Sequence, residues 1–168
     1  MDTLDKFDVA ILQELQSDGR LSNAELASRV GLSAAPCWRR VRALEDAGFI
    51  SGYHARINRQ KVGLGVLAFV RLSADRNSGF VARELEAAIA QVPEIVSCHY
   101  ISGTGTFELQ VVACDLDAFA ALARDVLINL PHVQDIHTSF SLGEVVTSST
   151  LPLKHLPTQR AKQARPKG

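Results

Sequence analysis

The sequence predicts an α+β protein of two domains: an N-terminal helix-turn-helix unit (winged-helix-like) and a C-terminal ferredoxin-like βαββαβ sandwich. Three observations carry that reading. Residues 22–50, SNAELASRVGLSAAPCWRRVRALEDAGFI, have the pattern of two short capped helices joined by a tight turn, the second rich in arginine. An amphipathic segment precedes them. From Val66 onward, β-rich runs alternate with helical ones in the order β-α-β-β-α-β, the split βαβ arrangement.

Taken in order, residues 2–16 form a helix, because Leu4, Phe7, Ile11 and Leu15 recur along one face. Asp18-Gly19 ends it. Ser22 caps the next helix and Glu25 completes a capping box. Leu26, Ala27 and Val30 make its short apolar face, and Gly31 suits the reversal that ends it. Leu32 plugs the gap between helices, Ser33 is the next N-cap, and Pro36 falls in a first turn, where a missing amide hydrogen costs little. At about 100° per residue around this helix, Cys37, Val41 and Leu44 face inward. Ala35, Arg39 and Arg42 face outward, with Trp38 and Arg40 on the flanks. Gly48 stops the helix, and Phe49 to Ile57 are extended, with Ser51-Gly52 as a turn, serving as a short wing or as the linker.

In the second half, Val66–Ser73 is a strand. Phe80–Ala90 is a helix with Phe80, Val81, Leu85, Ala88 and Ile89 apolar, broken by Pro93. Ile95–Ile101 and Phe107–Ala113 are strands around a glycine turn. Asp117–Leu127 is a helix with Phe119, Ala120, Ala123, Val126 and Leu127 apolar. Val133–Leu142 is a fourth strand and Glu144–Thr150 a candidate fifth. Two helices cover one sheet face. The other face is bare in a monomer, exposing Val66, Ala68 and Val70 or their neighbours, and a bare apolar face implies a partner, most simply a second copy. The expected domains are 1–52 (helix-turn-helix), 53–64 (linker strand), 65–153 (ferredoxin-like) and 154–168 (a polar, basic, disordered tail with weak phosphate affinity).

Composition bounds the function. Of 168 residues, 46% are hydrophobic and 21% charged, as a packed core requires. The net charge is zero, so attraction to nucleic acid must come from local clusters, mainly Arg39, Arg40 and Arg42 with Arg56 and Arg59. Zero charge also favours self-association. The three cysteines and five histidines show no zinc spacing. There is no nucleophile–base pair or phosphate loop, so no catalytic residue is assigned and an enzyme is not expected. With no signal-peptide pattern and no apolar run long enough for a membrane, the expectation is a cytoplasmic protein without membrane partners.

The helix pair is a device for placing a helix in the major groove of double-stranded DNA. Ala35 allows close approach, and Arg39 and Arg42 reach guanine edges or phosphates. Glu45 and Asp46 near the C-terminus mean that the N-terminal half enters the groove. The full DNA-facing set is Ser22, Asn23, Ser33, Ala34, Ala35, Pro36, Trp38, Arg39, Arg40 and Arg42. The alternative is an ordinary helical hairpin with a solvated charged face.

The segments LDKFDVAILQELQSDGRLSNAELASRVGLSAAPCWRRVRALEDAGFISGYHARIN, KVGLGVLAFV, LPHV and SLGEV together closely resemble the Lrp/AsnC (feast/famine) family of transcription regulators, over roughly Leu4 to Leu153. The resemblance implies dimers formed through sheet faces, often assembled into octamers, that bind an amino acid or related small molecule between subunits and control genes of amino-acid metabolism. It places the effector at Ser102, Gly103, Thr104, Gly105, Thr106 and Phe107, with Thr138 on a facing strand. The family's loop there usually reads Gly-Asp-Tyr/Phe-Asp-Tyr. Here Thr104 and Thr106 stand at the two aspartate positions and Gly105 replaces the aromatic. A threonine hydroxyl binds an ammonium group far less well than a carboxylate. An architectural DNA-binding protein without an effector is the rival reading. No cofactor or metal is implied.

Overall fold

The structure is a computed structural model describing residues 4–74, 79–102, 107–146 and 150–156, without the side chains of 79–81. The chain divides into two compact units, 57–145 and the combination of 1–56 with 146–168. The fold is α+β, as the sequence predicts.

In the first unit, helix α1 (Lys6–Ser17) begins later than residue 2, because Asp5 caps it. The Asp5 carboxylate accepts from the Phe7 amide at 2.8 Å and the Asp8 amide at 3.0 Å, and Asp8 accepts in return from the Asp5 amide at 2.9 Å. Helix α2 (Asn23–Val30) carries the expected capping box. Ser22 donates its hydroxyl to Glu25 at 2.6 Å and its amide at 2.9 Å, and these bonds hold the Glu25 carboxyl below its usual pKa. Gly31 ends α2 at φ 71°, a conformation costly for any side chain with a Cβ. Helix α3 (Ala34–Asp46) follows, and Gly48 closes it at φ 74°. Leu4, Val9, Ile11, Leu26, Ala27, Cys37 and Leu44 form the core.

The second unit contains β1 (Val66–Ala74), α4 (Gly79–Ile89), β2 (Ile95–Tyr100), β3 (Phe107–Ala113), α5 (Leu116–Asp125), a 3-10 turn (Leu127–Asn129) and β4 (Val133–Phe140). The sheet order is β2-β3-β1-β4, antiparallel throughout. Ala68, Val70 and Leu72 alternate along β1 and meet Phe107, Leu109, Val111 and Ala113 of β3. Leu85 and Ile89 of α4 and Phe119 of α5 complete this core. Ala68 and Val70 therefore face the helices, and their neighbours Leu67 and Phe69 occupy the other face.

That other face is less apolar than the sequence suggests. His99 of β2 is paired with Glu108 of β3, Glu108 with Arg71 of β1, and Arg71 with His137 of β4. A polar row therefore crosses all four strands, with Arg71 Nε donating to Glu108 at 2.8 Å. Leu67, Phe69 and Val112 lie toward one end. Among the described residues, no helix of this unit covers the face.

Three boundaries differ from the sequence reading. Residues 53–64 form no strand, and 59–63 are turns; Arg59 Nη1 donates to the Leu64 and Gly65 carbonyls at 3.1 and 2.9 Å and so folds this stretch back on itself. Residues 144–146 are not a strand either, since Glu144 pairs with Arg59 at 3.5 Å and Val145 and Val146 are exposed; 147–149 lie outside the described residues. The compact sandwich ends at Val145 rather than residue 153, because Leu153 and Leu156 pack on the first core. Of the tail expected at 154–168, residues 157–168 lie outside the described residues.

Leu109 is fully buried at the centre of the sheet. Leu109→Ala is expected to destabilise the second unit by about 2–5 kcal/mol, measured as a lower denaturant midpoint at unchanged slope.

Candidate nucleic-acid interface and effector loop

The helix pair is tied together at its outer end. Asn23 Nδ2 donates to the Ala34 carbonyl at 2.9 Å, fixing the start of α2 against the start of α3. Ser22, though expected at the interface, is exposed and engaged with Glu25. Ser33 occupies the N-cap position of α3 without a side-chain cap bond; its carbonyl accepts from the Cys37 amide at 3.1 Å. Ala34 and Ala35 are exposed, and Pro36 is half-buried in the first turn.

The three arginines have separate fates. Arg39 is exposed and has no carboxylate partner among the described residues. Arg42, exposed, reaches Glu45 at 3.3 Å and lies 5.8 Å from the Trp38 ring centroid. Trp38 is 54% exposed, so its indole is largely available rather than a core residue. Arg40 departs from the sequence reading. It turns back onto α1, with Nη1 2.9 Å from Asp5 and 2.7 Å from Asp8, and its guanidinium lies 5.5 Å from the Phe7 ring. Its flank position sets it against two carboxylates of the fold, so its charge is paired internally. Burial would raise the Asp5 carboxyl, but amide bonds from Asp8 and Phe7, and then the Arg40 charge, hold it below its usual value near 3.8.

Sequence reasoning missed Tyr53. Its hydroxyl donates to Glu45 at 3.1 Å, and burial followed by that carboxylate pushes its pKa up. Glu45 thus holds Arg42 with one oxygen and Tyr53 with the other. The Arg42–Glu45 spacing of three residues was a legible signal; Tyr53, in an irregular segment, offered none. A cavity of about 270 Å³ lies beneath them, over Leu15, Leu21, Leu26 and Val41.

At the effector loop, Gly103, Thr104, Gly105 and Thr106 lie outside the described residues. Ser102 is exposed beside it. Phe107 is only 2% exposed and meets Tyr100 edge-on at 5.3 Å, so its ring belongs to the core rather than to a ligand surface. Thr138 is exposed on β4, paired with Val70, and β1 separates it from β3. A cavity of about 440 Å³ between α4 and β2 is lined by Glu86, Ile89, Cys98, Tyr100 and Phe107 among others. Burial, then the Glu86 charge, raises the Cys98 thiol pKa, which disfavours the nucleophilic thiolate. Among the described residues no group of three His, Cys, Asp or Glu could hold a metal ion, and no helix is long and apolar enough to cross a membrane.

The Asp5–Arg40 pair has a consequence in acid. A carboxyl whose folded pKa lies below its unfolded value stabilises fully above the unfolded value and loses that contribution as pH falls through the folded one. Acidification below about pH 4 is expected to lower the melting temperature of the wild type. The Arg40→Gln variant should be less stable near neutrality by about 1–3 kcal/mol and show a smaller acid-induced fall. Equal falls in both proteins would contradict the pairing.

Comparison with known proteins agrees with this geometry. Residues 4–51 match the winged helix-turn-helix DNA-binding family model, and residues 67–151 match the Lrp/AsnC ligand binding domain. The leucine-responsive regulatory protein of Salmonella typhimurium is 41% identical over 151 residues, covering 90% of this chain and 92% of the relative. That of Escherichia coli strain K12 is 40% identical with the same coverage. A transcriptional regulator of Neisseria meningitidis, solved as an L-Met complex, superposes with a TM-score of 0.88 at 41% identity, covering 92% of this chain and 100% of its own. An AsnC family transcriptional regulator of Agrobacterium tumefaciens gives 0.86 at 30% identity, with the same coverage. An exposed recognition helix in one unit and a split βαβ sandwich in the other, each matched in turn, make this chain a DNA-binding transcriptional regulator of the Lrp/AsnC family, and not an enzyme.

Proposed function

We propose that the protein is a cytoplasmic, sequence-specific regulator of amino-acid metabolism genes whose DNA occupancy is set by an amino acid or a related small molecule. The observation that carries the DNA half of this reading is the outer face of α3. Ala35 and Arg39 are exposed, Arg39 has no internal carboxylate partner among the described residues, and Arg42 is held by a surface ion pair of a kind worth less than about 1 kcal/mol. A phosphate or guanine edge displaces so weak a partner readily. The proposed contact set is Ser33, Ala34, Ala35, Pro36, Trp38, Arg39 and Arg42, with Ser22 and Asn23 supporting it. Arg40 is left out because Asp5 and Asp8 hold it.

Two copies packed through the uncovered sheet face present two such helices to half-sites one or more helical turns apart. Four such dimers would form an octamer. Assembly multiplies contacts with DNA. The effector half rests on the ligand-binding domain match and on the L-Met complex of the Neisseria meningitidis regulator. Its proposed place is the segment Ser102 to Thr106 together with Thr138. A ligand that prefers one assembly shifts DNA occupancy by that difference in affinity.

Each bidentate arginine contact contributes about 1–3 kcal/mol. Arg39→Ala combined with Arg42→Ala is therefore expected to weaken operator binding at least tenfold, with unchanged circular dichroism and dimer mass. Retained operator affinity in that variant would refute the recognition face. Calorimetric titration with the twenty amino acids is expected to show at least one binder that shifts the DNA-binding midpoint, with Thr106→Asp altering the response. Silence towards all of them would favour an architectural DNA-binding protein.

A further inference from the structure

Arg42 is held by a chain of contacts that begins outside the recognition helix. The Tyr53 hydroxyl donates to one Glu45 oxygen at 3.1 Å, and the other Glu45 oxygen accepts from Arg42 Nη1 at 3.3 Å. The Tyr53 ring is seated in its turn against the residues just past α1. A Cβ added to Gly19 would lie 3.4 Å from Tyr53 Cδ1. The Arg42 guanidinium also lies 5.8 Å from the Trp38 ring centroid, within range of a cation–π contact.

This support matters because the core does not prop Arg42. Its side chain is 60% exposed, and the cavity of about 270 Å³ is lined by Arg42, Trp38, Glu45 and Tyr53 themselves. An unsupported arginine samples many rotamers, and ordering it on a base costs binding free energy. With Nη1 on Glu45, Arg42 keeps Nε and Nη2, which have no partner among the described residues. Two adjacent donors of a planar guanidinium match the paired acceptors of guanine. A phosphate approaching along Nη1 must displace Glu45; a guanine met through Nε and Nη2 need not.

We infer that Tyr53 and Glu45 are positioning residues that preset Arg42 for base recognition, raising preference for the operator rather than affinity for DNA in general. The inference rests on the DNA-binding reading of α3 and adds to it two residues that act through Arg42. Glu45 is an anion close to the DNA-facing side, so it costs general attraction to phosphates. Its contribution is direction: it fixes one end of the guanidinium, and Tyr53 fixes Glu45. Arg39, with no such support among the described residues, is left to contribute charge along any sequence.

The test uses the full chain and fluorescence anisotropy on two duplexes, an operator selected by the wild type from random sequences and one of arbitrary sequence. Tyr53→Phe keeps the ring and the net charge and removes only the hydroxyl. It is expected to lower operator preference about two- to tenfold per half-site, the size of the ordering cost of one long side chain, with affinity for the arbitrary duplex unchanged. Glu45→Ala, at a helical position that alanine suits, is expected to lower the preference at least as much while raising affinity for the arbitrary duplex, since an anion has gone. In an Arg42→Ala background, adding Tyr53→Phe is expected to change nothing further. A hydroxyl that merely braced the fold would lower both affinities alike and would still matter without Arg42; that result overturns the inference. So does an unchanged preference in Tyr53→Phe, or an equal gain on both duplexes in Glu45→Ala. If Arg42→Ala lowers the preference while Tyr53→Phe does not, only the positioning fails. If the wild type selects no operator, or its preference survives Arg39→Ala with Arg42→Ala, the reading of α3 fails instead.

Discussion

The fork of Arg40 onto Asp5 and Asp8 is the interaction on which the DNA-binding unit most depends. It joins the first turn of α1 to the middle of α3, at 2.9 and 2.7 Å, with all three side chains largely shielded from solvent. Arg29 of α2 reaches Glu14 of α1 at 3.0 Å in a similar way. Helix α1 and its cap thus supply the carboxylates that pair with the other two helices over their shared apolar core. A partly buried arginine with two carboxylates is costly to disrupt, because removing it leaves two anions side by side. The arrangement also sorts the arginine cluster. One member is consumed inside the fold, one is lightly held by Glu45, and one is free for an outside partner.

Most of this was legible where a short-range rule decides. The Ser22–Glu25 capping box, the glycines at 31 and 48, and the inward set Cys37, Val41 and Leu44 each follow from a few neighbouring residues. The strands at Val66–Ser73 and Phe107–Ala113 also follow from local composition. The misses share another cause. Arg40 sits on the flank of its helix, and only the position of α1 decides whether it faces solvent or carboxylate. Phe107 stands in the effector set that the family resemblance implies, but the pairing of β3 with β2 and β1 buries it. The apolar run after Glu144 has strand composition, yet contacts with α1 and the first core, made across most of the chain, claim Leu151, Leu153 and Leu156. Periodicity within a window contains no information about such partners.

The uncovered sheet face shows how composition can mislead about chemistry. Leu67, Phe69 and Val112 give it an apolar end, while His99, Glu108, Arg71 and His137 lay polar groups across its width. A surface that meets its own copy about a two-fold axis must place each group against a complementary one. Arg71 already has Glu108, and His137 lies 2.9 Å from Asp135, so these groups enter any such contact with partners from their own sheet. That lowers the desolvation cost of burying it and gives the contact a register that a purely greasy face would lack.

The discontinuity of the first unit has a consequence for how the chain comes to its shape. Residues 1–56 leave the ribosome before the sandwich, but the side chains that finish their core, Leu153 and Leu156, emerge only after all of it. The intervening sandwich is then a closed loop whose ends must meet, with an entropic penalty that grows only as the logarithm of its length. A compact sandwich reduces that penalty by drawing its own termini in. The helix-turn-helix thus reaches its final stability only once the sandwich has been synthesised, so a product truncated before that point contains a reading head that is formed but not finished.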